Sequence, residues 1–107
     1  MTQRLLRHGY NECTRIVRRN ARNFYYAFLA LPKERRRAIH AVYAFCRLVD
    51  DAADEPGPEE TKYQKLAHYR RLFDEAIKGQ YGTPLFAAVG DTVQRFEIPP
   101  HLFHELI

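Results

Sequence analysis

The chain has 107 residues, 46% of them hydrophobic and 13% aromatic, so it has the material for a packed core and is no disordered tail. Its two cysteines, Cys13 and Cys46, make neither a CxxC metal spacing nor a disulfide framework, and no run approaches the roughly 18 apolar residues of a membrane-spanning helix. The net charge of +4 is uneven, with eleven Lys/Arg against two Asp/Glu in residues 1–49 and six against eleven in residues 50–107.

The first helix is expected from about Asn11, a plausible N-cap, to Leu29, with Pro32 as the stop signal. Ile16, Val17, Phe24, Ala27 and Phe28 keep helical spacing, while Arg15, Arg18, Arg19 and Arg22 take the other face. A second helix is expected from Pro32 or Lys33 to Asp54 or Glu55, since proline suits a first turn. In it Ile39, Val42, Cys46, Val49 and Ala53 step by three and four and are read as the buried stripe. Arg35, Arg36 and Arg37 read as a solvated face. Pro56-Gly57-Pro58 breaks the chain. A third helix fits Glu59 to Lys78, with Gly79 as its stop. A fourth fits Pro84 to Arg95, although Gly90 sits inside it. After Pro99-Pro100 a fifth is expected from His101 to Ile107, with His101 and His104 as surface residues and Leu102, Phe103, Leu106 and Ile107 as an uncovered apolar face. The chain is therefore expected to be all-α, with about five helices.

The segment Asp50-Asp51-Ala52-Ala53-Asp54 carries the chemistry. Three carboxylates fall within five residues at the end of an apolar helical pattern, and at about 100° per residue Asp50 and Asp54 share a face with Arg47 and Tyr43. Such oxygen donors suit a hard cation like Mg²⁺, usually held by one or two carboxylates plus substrate phosphates. The helix C-terminus disfavours negative charge, and Asp50 and Asp54 repel each other as an i,i+4 pair, so stability alone would not select this arrangement. The plain alternatives are a solvated acidic helix end, an Arg47–Asp51 pair one turn apart, and Tyr43 and Phe24 as ordinary core.

The stretches Phe24-Tyr25-Tyr26-Ala27-Phe28-Leu29-Ala30-Leu31-Pro32 and Ala41-Val42-Tyr43-Ala44-Phe45-Cys46-Arg47-Leu48-Val49-Asp50-Asp51-Ala52-Ala53-Asp54 closely resemble the squalene/phytoene synthase family. The likeness continues through Thr83-Pro84-Leu85-Phe86 and Phe96-Glu97-Ile98-Pro99, nearly the whole chain. It implies an isoprenoid-synthase-type helical bundle and head-to-head condensation of two prenyl diphosphates, farnesyl or geranylgeranyl. It gives Asp50, Asp51 and Asp54 the Mg²⁺–diphosphate role, with Mn²⁺ as a substitute and Asp50 and Asp54 essential to catalysis. It makes Arg47 a diphosphate ligand and puts Tyr43 and Phe24 on the substrate cavity. Asn23 stands where many members have a phosphate-contacting serine. NADPH is implied only if the reaction proceeds to squalene. The family's second aspartate-rich motif has no counterpart in these residues, so residues 1–107 are expected to be the N-terminal part of the domain, inactive and prone to self-association alone.

No signal-like apolar run follows the first basic residues, and Cys46 reads as a buried thiol, so a cytoplasmic location is expected, with the basic half suited to peripheral association at an anionic membrane. A small basic module binding nucleic acid is the rival of another class, but it leaves three clustered carboxylates unexplained. Head-to-tail prenyltransferases and terpene cyclases also use DDxxD. The Cys46-Arg47-Leu48-Val49-Asp50-Asp51 context favours the head-to-head family, and no nucleic-acid partner is expected.

Overall fold

The computed structural model describes residues 2–107, which fold as helices without a strand among them. The helices are α1 (Thr2–Asn20), α2 (Arg22–Phe28), α3 (Lys33–Asp54), α4 (Glu59–Ala76), α5 (Pro84–Arg95) and α6 (His101–His104). The all-α expectation holds. The count is six among the described residues because the expected first helix is two.

That helix begins nine residues before Asn11, which lies exposed in mid-helix and caps nothing. It breaks at Ala21, whose φ of −145° and ψ of 62° leave the helical region. Asn20 assists the break: its side-chain amide donates to the Ile16 carbonyl at 2.9 Å, a local bond that competes with helix continuation. Pro32 serves as the N-cap of α3, whose span matches the expectation. Helix α4 stops two residues early, and Gly79 supplies the turn that follows at a φ of 88°. Helix α5 spans the expected residues, with Thr83 Oγ1 accepting from the Phe86 N–H at 3.2 Å. Its end wraps in a Schellman-type turn: Ile98 N–H donates to the Val93 carbonyl at 3.0 Å while Glu97 takes a left-handed φ of 51°. Helix α6 is one turn, shorter than expected.

Helix α5 lies at the centre. Leu85 through Gly90 are all buried, as are Thr92 and Val93, so it is covered on every side. Covering it demands close approach, and two glycines permit it. A Cβ on Gly9 would stand 1.9 Å from the Pro84 carbonyl oxygen, and one on Gly90 would stand 2.5 Å from that of Ala76. Gly90 is thus a packing requirement of the α4–α5 contact. Beside α5, the ring of Phe45 on α3 meets Phe73 of α4 at 5.8 Å, Phe86 of α5 at 6.1 Å and Phe103 of α6 at 5.1 Å. A polar tie joins α1 to α5: the buried Tyr10 hydroxyl donates to Asp91 at 2.6 Å and lies 3.0 Å from Thr92 Oγ1. Arg37 is no bare solvated arginine; its guanidinium sits 4.3 Å from the Tyr10 ring centroid.

The buried seam of α3 is Ala38, Ala41, Phe45, Val49 and Ala52, with Ala44 and His40 beside it. The expected stripe was displaced by about one position, or 100°. Of that stripe only Val49 is buried; Ile39, Val42 and Cys46 are half-buried and Ala53 is exposed. Alanines carry the close contacts, and the larger apolar residues flank them. The fully buried thiol is Cys13, pushed up to about 12 by burial. His104 is not a free surface residue: its Nε2 lies 2.6 Å from Asp74 Oδ1 and its ring meets Phe73 edge-on.

Gly90→Ala should destabilise the fold by about 1–3 kcal/mol, the usual range for overpacking, because its Cβ meets backbone and not a movable side chain. Urea unfolding of the two proteins measures this, and equal midpoints would show that α4 and α5 can separate without cost.

Candidate active site

The carboxylate cluster ends a helix that is anchored on its other side. The Phe45 ring packs α3 against Phe86 of α5, and the Tyr43–Arg47–Asp50–Asp54 stripe lies on the face turned away from the buried seam. Tyr43 is half-buried; Arg47, Asp50, Asp51 and Asp54 are exposed. Arg47 Nε lies 3.2 Å from Asp51 Oδ1, one turn on. Both partners are well hydrated, so this ion pair is worth little and breaks easily. Among the described residues Asp50 and Asp54 enter no ion pair. Their charge is still felt, because burial first and Asp50 second push the half-buried Cys46 thiol up. Just beyond the cluster, Lys65 of α4 donates to Glu55 at 2.8 Å and tethers the end of α3; that hydrogen bond holds the Glu55 carboxyl below its usual range.

Three of the other expected site residues meet. Asn23 and Phe24 of α2 and Tyr43 of α3 line one cavity of about 340 Å³, together with Asn20, Ala21 and Arg22. The break at Ala21 makes this possible, since it turns Asn23 and Phe24 toward Tyr43. Phe24 is 56% exposed, so it is not core. The cavity and the carboxylates lie on the same face of α3, roughly 10 Å apart from Tyr43 to Asp50 at 1.5 Å per residue. Arg22 also belongs to a second depression, of about 560 Å³, ringed by Arg15, Arg18 and Arg19. The arrangement is amphipathic: an aromatic pocket with arginines at one rim, then Arg47, then carboxylates. The aspartates themselves line neither of these two hollows.

A family model described as squalene/phytoene synthase matches residues 17–107. The chain belongs to the squalene/phytoene synthase family. It is 39% identical over 99 residues to a phytoene synthase of Mycobacterium tuberculosis, covering 92% of this chain and 32% of that protein. It is 30% identical over 102 residues to a 15-cis-phytoene synthase of Synechococcus elongatus, covering 95% and 33%. Its fold superposes with a TM-score of 0.81 on the crystal structure of squalene synthase HpnC from Alicyclobacillus acidocaldarius, with 32% identity, over 92% of this chain and 37% of that one. The chain thus spans about a third of the length of the relatives it matches.

The donor set fits a divalent cation in part. Among the described residues no group of three His, Cys, Asp or Glu side chains is gathered closely enough to hold a metal alone. Asp50 and Asp54 are hard oxygen donors one turn apart and free of ion pairs, the composition of a site completed by a ligand's own phosphates. Also among the described residues, no helix is long and apolar enough to cross a membrane. The sequence reading overlooked Arg22 in the aromatic cavity and the Lys65 tether. Arg22 carried a signal, being three residues past Arg19 on the arginine stripe; the Lys65–Glu55 contact, made across a break of two prolines, carried none.

Asp50→Asn and Asp54→Asn should leave the fold intact and raise its stability by about 0.3–1 kcal/mol, because each removes negative charge from a helix C-terminus and from a like-charge pair. Thermal melts at low ionic strength check this. A marked loss of stability in either variant would make that carboxylate structural.

Proposed function

We propose that this chain supplies the first aspartate motif and part of the hydrophobic cavity of an enzyme that condenses two prenyl diphosphates head to head. The observation that carries the reading is the single face of α3 on which Tyr43, Arg47, Asp50 and Asp54 follow one another, with Phe24 and Asn23 closing a cavity at its aromatic end. A prenyl diphosphate has the same order of properties, an apolar unsaturated tail and a polyanionic head.

Asp50 and Asp54, with Asp51 beside them, would hold Mg²⁺ together with substrate phosphate oxygens. When bound, Mg²⁺ supplies the Lewis-acid charge that lets diphosphate leave. Arg47 trades its weak contact with Asp51 for two parallel N–H donors on a phosphate, where its planar fork fits best. Asn23, at the near rim, donates its amide to the same class of oxygen. The allylic C–O bond breaks with its electron pair going to diphosphate, and the double bond of the second substrate captures the cation. Phe24 and Tyr43 offer ring faces to that cation and keep water from it. The exposed carboxylates and half-covered apolar flank of α3 are the parts such a reaction would enclose.

The test is a product assay of the protein that carries this chain, with farnesyl and geranylgeranyl diphosphate and Mg²⁺. Formation of a C30 or C40 head-to-head hydrocarbon or its cyclopropyl diphosphate is expected. Asp50→Asn or Asp54→Asn should lower turnover by orders of magnitude, and Arg47→Lys should recover only part of what Arg47→Ala loses. Unchanged turnover in both aspartate variants would overturn the assignment.

A further inference from the structure

Helix α2 carries two of the proposed substrate contacts, yet it has little to hold it. None of its seven residues is fully buried, and only Tyr25 and Phe28 are half-buried. Both meet the same side chain. The imidazole of His40, on α3, stacks on Tyr25 with ring centroids 6.1 Å apart and 18° between planes, and lies 6.0 Å from the Phe28 ring. His40 is only 2% exposed. Its Nδ1 is 2.9 Å from Thr14 Oγ1 on α1, while Nε2 is buried without a partner among the described residues. One imidazole therefore joins α1, α2 and α3 at the point where α2 meets the bundle.

We infer that His40, as a neutral imidazole, is the positioning residue that docks α2 on α3, and that protonating it releases α2 and opens the Asn23–Phe24–Tyr43 cavity.

The hydrogen-bond inventory supports this. A neutral ring has one N–H, which Thr14 can accept, and leaves one lone pair unmet. An imidazolium has two N–H donors, and the pocket offers one acceptor. The charged groups around the ring add no carboxylate. Arg36 lies on α3, and Arg18 of α1 sits 5.7 Å from the outer Tyr25 ring; the other walls are the Tyr25 phenol, the Phe28 ring and the Thr14 hydroxyl. Burial first and Arg36 second hold the His40 pKa below its ordinary 6.5. The sign follows. With α2 released the ring binds a proton more readily than with α2 docked, so docking is at full strength above about pH 6.5 and weakens as pH falls below it. The asymmetry is local, because no other buried residue of α3 is titratable apart from the thiol flank at Cys46.

The docking role rests on contacts alone; only its consequence for substrate rests on the proposed function. Hydrogen exchange on the protein that carries this chain tests it. Protection factors of the Tyr25–Phe28 amides, the ones hydrogen-bonded within α2, are corrected for intrinsic rates and compared with those of α5 from pH 8 to 5. Below about pH 6.5 α2 protection should fall, with a slope no steeper than about tenfold per pH unit, that of one proton, while α5 stays protected. His40→Phe keeps the stacking and cannot titrate; its α2 should stay protected across the range. His40→Ala should lose α2 protection at every pH. A His40→Phe chain with the wild-type pH dependence, or wild-type protection of α2 that ignores pH, would overturn the inference. If α2 releases on schedule but, below the transition, wild type and His40→Phe bind a prenyl thiodiphosphate with Mg²⁺ equally well, the docking role stands and its coupling to the Asn23–Phe24–Tyr43 cavity is overturned.

Discussion

A helix covered on every side is packed most tightly where its neighbours come in backbone to backbone. Helix α5 is that helix, and Gly9 and Gly90 are where α1 and α4 come in. The rest of the arrangement follows from this closeness. Helix α3 buries a seam of alanines at positions 38, 41 and 52, and its one large buried ring, Phe45, meets Phe73, Phe86 and Phe103 of three other helices. Truncating a ring so placed typically costs about 3–5 kcal/mol, a large part of the stability of a domain this size. The polar tie from Tyr10 to Asp91 and Thr92 then fixes the register of α1 on α5.

Because the core claims one side of α3, the opposite side is free for chemistry. Asp50, Asp54 and Arg47 stand on a helix whose position is set by rings and alanines they do not touch. The two aspartates can repel each other and oppose the helix dipole without loosening the fold, since the cost of about 0.3–1 kcal/mol per charge is small beside the core. The half-buried apolar flank at Ile39, Val42 and Cys46 lies between the two sides and belongs fully to neither.

Much of this was legible in the sequence where punctuation was strong. Pro32, Pro56-Gly57-Pro58, Pro84 and Pro99-Pro100 place the bounds of α3, α4 and α5 within a residue or two, because proline and glycine act locally. The break at Ala21 was not legible: alanine is the best helix former, and periodicity does not register the side-chain bond from Asn20 that accompanies the break. The α3 seam was displaced because periodicity weighs Ile39 and Val42 above Ala38 and Ala41, whereas close packing prefers the smaller residue. The grouping of Asp50, Asp54, Arg47 and Tyr43 on one face needed only the helical repeat and was legible. Their relation to Asn23 and Phe24 depended on the kink, and the contacts of His40 and Lys65 depended on which helices became neighbours. Those are long-range facts that no local pattern carries.

The ring of Phe103 touches both Phe45 and Phe73. The central cluster therefore closes only when residues separated by more than half the chain come together. As the polypeptide is synthesised, α3 emerges with its alanine seam and Phe45 open to water, and they remain so until α5 and then the single turn of α6 arrive. Loop-closure entropy must be overcome before those contacts are made. For that interval the nascent chain shows a sticky apolar surface next to an arginine-rich first helix, which makes its early life on the ribosome a period of exposure to chaperones and to other unfolded chains.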